Sequence, residues 1–113
     1  NDFVGTSDAT DVVFRRNSIL AGVLGPKQTA LGQGAGLNVE LFAMGGGTNT
    51  AIGNSAMPAI TTGSLNTAVG YQSMLANTTG AFNSALGYQS LLSNTAGAGN
   101  SARMAPSSRL SHG

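Results

Sequence analysis

The chain repeats a short pattern in which one larger aliphatic residue sits among small polar and apolar ones. Asn49-Thr50-Ala51-Ile52-Gly53 returns as Asn66-Thr67-Ala68-Val69-Gly70 and again as Asn83-Ser84-Ala85-Leu86-Gly87, with a period of 17 residues. A fourth start, Asn100-Ser101-Ala102, runs into Arg103-Met104 and stops. The second halves align as well. Tyr71-Gln72-Ser73-Met74-Leu75 matches Tyr88-Gln89-Ser90-Leu91-Leu92, and Asn77-Thr78-Thr79-Gly80 matches Asn94-Thr95-Ala96-Gly97. Thr61-Thr62-Gly63 holds the same place one repeat earlier, and a looser copy begins at Thr29-Ala30-Leu31-Gly32.

The N-[ST]-A-[ILV]-G piece predicts a short strand closed by a corner glycine. The N-T-T-G piece predicts the opposite turn, with glycine supplying a positive φ. Between them, Y-Q-S-[ML]-L fits a second strand or one helical turn, and five residues are too few for periodicity to choose. Seventeen residues bury no hydrophobic face alone, so copies must stack. The expectation is an all-β fold, a parallel β-solenoid (β-roll) whose coils rise by about 4.8 Å each. In it Ile52, Val69, Leu86, Met74 and Leu91 form the structural core, with Gly53, Gly70 and Gly87 at the corners. Met57, Leu75 and Leu92 join Met74 and Leu91 on the second side or at a subunit seam. Asn49, Asn66, Asn83 and Asn100 stack as an Asn ladder.

This divides the chain into a polar lead-in or cap with one strand (1–27), a repeat array (28–102) and a tail (103–113). The array holds an irregular coil (28–48), regular coils at 49–65, 66–82 and 83–99, and a broken start at 100. Within the lead-in, residues 11–16 have strand composition. Arg15-Arg16 followed by an apolar run imitates a twin-arginine export signal, but the run is short and Asp8 and Asp11 lie upstream. A strand with a charged end fits better.

Composition sharpens this picture. Charged residues are only 8% of the chain, aromatics 5%, and 17 residues are glycine. Cysteine is absent, which excludes disulfides and thiolate metal sites. A net charge of +1 leaves no footprint for nucleic acid, and no apolar run is long enough for membrane insertion as a helix. No residue from 41 to 102 is charged. A soluble monomer scatters charge over its surface, so other copies are expected to cover much of the array.

Little here points to catalysis. Asp2, Asp8, Asp11 and Glu40 are the only acids, His112 lies in the tail, and no G-x-S-x-G elbow occurs. The expectation is no enzyme, no cofactor and no metal. Gly32-x-Gly34-x-Gly36 and Gly45-Gly46-Gly47 lack the Lys-Ser/Thr of a phosphate loop and read as loops. Asn77-Thr78-Thr79 matches a glycosylation sequon but belongs to the repeated turn. Tyr71 and Tyr88, each followed by Gln72 or Gln89, are candidate glycan contacts: a ring face packs on a pyranose and an amide bonds its hydroxyls. An aromatic ladder that stabilises the stack or the trimer seam is the simpler account and the favoured one.

The N-[ST]-A-[ILV]-G repeats resemble the head repeats of YadA-like trimeric autotransporter adhesins. The G-Y-Q-S-[ML]-L-x-N-T-x-G form, with the opening G-T-S-D-A-T-D-V-V-F-R-R at residues 5–16, is similar to repeat arrays of phage tail fibres and bacterial surface proteins, many of which end in an endosialidase-type chaperone. The period of 17 is longer than that of YadA-like heads, which implies a different coil shape. The resemblance implies a homotrimeric, non-enzymatic structural or adhesive fibre module that is extracellular, on a cell surface or on a virion. Its partners are then copies of itself and a host-surface glycan or protein. Two rivals stand beside it: a self-assembling extracellular filament joined through open solenoid ends, and a carbohydrate-binding module using Tyr71 and Tyr88.

Overall fold

The computed structural model describes residues 12–25, 28–36 and 48–103. They form seven strands in one sheet, ordered as in the sequence: β1 (Val12–Arg16), β2 (Ile19–Gly25), β3 (Gln28–Leu31), β4 (Asn49–Ile52), β5 (Thr67–Val69), β6 (Ser84–Leu86) and β7 (Ser101–Arg103). From β3 onward every pairing is parallel and follows the repeat, so that Thr50 meets Thr67, Thr67 meets Ser84 and Ser84 meets Ser101. The result is a β-solenoid of about four turns, with no helix among the described residues.

The lead-in holds two strands where one was expected. β1 and β2 pair antiparallel, and β2 pairs antiparallel with β3. The hairpin turns at Asn17 and Ser18, both in the left-handed region. It extends the solenoid sheet beyond β3 along the stacking direction, as an antiparallel hairpin instead of a further coil. Asp2, Asp8, Asp11, Gly45-Gly46-Gly47 and the tail beyond Arg103 lie outside the described residues.

Each coil has one strand wall and one wall of turns. Y-Q-S-[ML]-L is neither strand nor helix. Its second and fourth residues are left-handed: Gln72 and Met74 have φ of 56° and 49°, Gln89 and Leu91 53° and 49°. Such a backbone costs a non-glycine residue on the order of 1 kcal/mol. Hydrogen bonds to both neighbouring coils offset it: the Gln72 N–H donates to the Asn54 carbonyl, and the Met74 N–H to that of Ser90. The first coil reaches the same geometry with Gly34 and Gly36 at the equivalent places.

Gly53, Gly70 and Gly87 turn the corners with φ of 129°, 130° and 116°. A Cβ on Gly70 would lie 2.6 Å from the Gly87 carbonyl oxygen, so close stacking forbids a side chain there as firmly as the dihedral does. The glycine of the opposite turn works differently from expectation. Gly63, Gly80 and Gly97 are not at positive φ; they make room where a Cβ would strike the next coil or the Asn ladders. Positive φ falls two residues later, at Leu65, Phe82 and Gly99.

The core departs most from expectation. Met74 is fully buried and Leu91 packs against the core, but Ile52, Val69 and Leu86 point outward. Ile52 is 38% exposed and Leu86 53%. Strand side chains alternate between faces. Asn49 and Ala51 face inward, which turns Thr50 and Ile52 out. In the parallel coils the strand wall thus presents only alanines, Ala30, Ala51, Ala68 and Ala85, as its apolar contribution to the interior. Met57, Met74 and Ile60 fill that interior from the turn wall. A 17-residue coil is narrow, and large side chains from both walls would collide.

Candidate functional site

Three side-chain ladders run through the stack. The first is the Asn column, which is internal. Asn66 donates from Nδ2 to Asn49 Oδ1 (3.1 Å) and to the Gly80 carbonyl (2.8 Å), and its backbone N–H bonds Asn49 Oδ1 at 3.0 Å. Asn83 repeats all three bonds one coil later, to Asn66 and Gly97. Asn100 continues the column through its backbone N–H, 2.9 Å from Asn83 Oδ1. Every amide satisfies its own coil and the next, so the column sets the register. Asn77 and Asn94 form a shorter second column, joined at 3.1 Å. Asn77 is buried and its amide engaged with Gly80 and Asn94, so the sequon is not presented to solvent.

The second ladder lies at the corner where the turn wall begins. The Tyr71 and Tyr88 rings stack with centroids 5.6 Å apart and planes 9° from parallel. Gln89 Nε2 donates to Gln72 Oε1 at 2.8 Å. Both rings are exposed, but their facing surfaces are turned along the stack onto each other. A pyranose approaching from the side meets ring edges, where C–H packing is weak. Four residues singled out as candidate glycan contacts are thus brought together as a ladder that joins two coils.

The third ladder is the outward face of the sheet. Paired residues share a face, so the registers place Phe14, Gly22, Leu31, Ile52, Val69 and Leu86 in one column, ending at Arg103. Beside it runs a column of small hydroxyls, Thr29, Thr50, Thr67, Ser84 and Ser101. Leu65 and Phe82, at positive φ two residues before β5 and β6, are exposed at the strand entry. Phe82 is 64% exposed, the largest value among the exposed large hydrophobics. Sequence reasoning placed Ile52, Val69 and Leu86 inside and overlooked Leu65 and Phe82. For Ile52, Val69 and Leu86 the signal is Arg103, which no apolar interior would accept at the end of their column.

An open cleft beside the β1–β2 turn is lined by Arg16, Asn17, Ile19, Ala21, Gly32 and Gln33. It brings one cation and two amides together. No three His, Cys, Asp or Glu side chains gather among the described residues.

No family model, curated protein or solved structure matches the chain.

Proposed function

We propose that this chain is a non-enzymatic structural module of an extracellular fibre, of the kind found in a phage tail fibre or bacterial surface adhesin, and that it works as a homotrimer. The observation that carries the reading is the outward sheet face. A solenoid that is hydrogen-bonded coil to coil is stiff along its axis, and the outer sheet face of this one carries an aliphatic column beside a hydroxyl column, with no charge in either from β3 to β6. Stiffness suits a spacer that holds a tip away from a particle or cell. The apolar wall suits assembly around a shared axis. Light scattering after size exclusion, with negative-stain images of the same fraction, tests it. A single species of three chains, seen as short rods, is the expected result; a monomer at all concentrations overturns it.

Self-assembly into an open filament is the second reading. It is favoured by the position of β1 and β7 as the outer strands of the sheet, since an outer strand is a template for further pairing. Long polymers in the same images would put it first.

A further inference from the structure

We infer that the outward sheet face is the seam between copies of this chain, with coils level and stacks parallel. The inference rests on the homotypic assembly proposed above and names the surface that makes it. Phe14, Leu31, Ile52, Leu65, Phe82 and Leu86 are 38 to 64% exposed. Together they present on the order of 500 Å² of apolar surface, toward the upper end of what a monomer leaves open. With the hydroxyl column between them, the face approaches the roughly 800 Å² per partner of a stable interface.

Three features select a second copy as the occupant. The columns recur at the spacing between strands, about 4.8 Å. A partner that fits one coil and also the next must repeat at the same spacing, and this chain does. The relief is also self-complementary. The column of Thr and Ser is a groove, flanked by a ridge of Ile52, Val69 and Leu86 and by the protruding Leu65 and Phe82. A ridge on one copy fits the groove on another. Finally, charge is confined to the rim of the described face: Arg15 and Arg16 end β1, and Arg103 ends the aliphatic column. Interfaces have that distribution, with charge depleted at the centre and retained at the edge. Parallel stacks bring equivalent levels together, so Phe82 packs with Phe82 and the rims coincide.

The chain has no cysteine, so a single introduced thiol reports proximity cleanly. In the full-length chain, Ser84→Cys lies in the groove and Thr79→Cys on the exposed turn wall. A short bis-maleimide is expected to couple Ser84→Cys chains in high yield and Thr79→Cys chains only at background. The double variant Leu65→Lys, Phe82→Lys is expected to keep its β circular-dichroism signal, because both side chains are outside. It should raise the concentration needed for assembly by at least roughly a hundredfold. A native chain that stays monomeric defeats the homotypic reading and this seam together. A native assembly that couples through Thr79→Cys, or that tolerates both lysines, defeats only the seam. Should the double variant lose its β signal, the coupling pattern of the two cysteine variants still decides between these outcomes.

Discussion

The two walls of the coil place their large apolar residues in opposite ways. On the turn wall Met57 and Met74 point inward and are fully buried, while Tyr71 and Tyr88 stay outside in a stack. On the strand wall alanines point inward, and Leu31, Ile52, Leu65, Phe82 and Leu86 stay outside. The interior is filled from one side only. Apolar residues on the strand wall are surplus to this chain's own core, which is why that wall, and not the turn wall, is the candidate for contact with other copies. A narrow solenoid therefore separates two tasks that a globular domain merges: stabilising the chain and presenting apolar surface.

The hardest blow to this arrangement falls on the column between the walls. Asn66 binds Asn49 and Gly80 and accepts two bonds from Asn83, all in the interior. Asn66→Ala removes these four hydrogen bonds, at about 1 kcal/mol each, and leaves the buried Asn83 N–H without its acceptor. Loss of the cooperative thermal transition followed by circular dichroism is the expected result. A melting point within a few degrees of the native chain would show that water replaces the column and that the walls hold register without it.

Next in size is the turn wall itself. Met74→Ala removes a fully buried side chain from the filled side and is expected to cost about 3 kcal/mol, read as a denaturation midpoint shifted in urea. The same truncation on the strand wall, Leu86→Ala, should leave the midpoint of the isolated chain nearly unchanged and weaken assembly instead. Equal effects on folding would erase the distinction between the walls.

How much of this was legible in the sequence follows from what each signal measures. Stacking, the 17-residue register and the Asn ladder come from identity at equivalent places, and hydrogen-bonded ladders need identity. Corner glycines are legible because Gly53, Gly70 and Gly87 occupy a dihedral and a gap that other residues resist. The direction of Ile52, Val69 and Leu86 is not, because aliphatic character alone does not distinguish a buried place from an exposed one. Variation was the better guide: the inward place is alanine in every coil, Ala51, Ala68, Ala85 and Ala102, while the outward place drifts from Ile to Val to Leu to Arg103. The turn wall was obscured for another reason. Alternating left-handed residues mimic neither strand nor helix, and only Gly32, Gly34 and Gly36, spaced by two, mark the pattern in glycine. They read as a loop because no later coil repeats Gly34 and Gly36.

Adjacent residues on one strand give a sharper comparison. Ala68 faces the interior and Val69 faces out. Ala68→Leu inserts volume where Met57 and Met74 already fill the space, and is expected to cost about 2 kcal/mol. Val69→Leu, one residue along, should be neutral for folding, because the next coil already carries Leu86 at that place. Paired thermal melts check both. Reversed results would return the aliphatic column to the core.

The smallest expected effect concerns the outer ladder of the turn wall. Tyr88→Ala removes one ring of the stacked pair but leaves the Gln72–Gln89 bond in place. An exposed stacked pair contributes about 1 kcal/mol, so the melting temperature should fall by roughly 3–5 °C. The strand-wall seam should not respond, and assembly should keep its native concentration dependence. If Tyr88→Ala weakens assembly as strongly as Leu65→Lys with Phe82→Lys, apolar contact between copies is shared by both walls. If instead it leaves stability and assembly alone but abolishes retention on an immobilised glycan, the pair serves recognition. A ladder predicts a change in stability alone, because the contact that Tyr88→Ala removes is the one between the two coils.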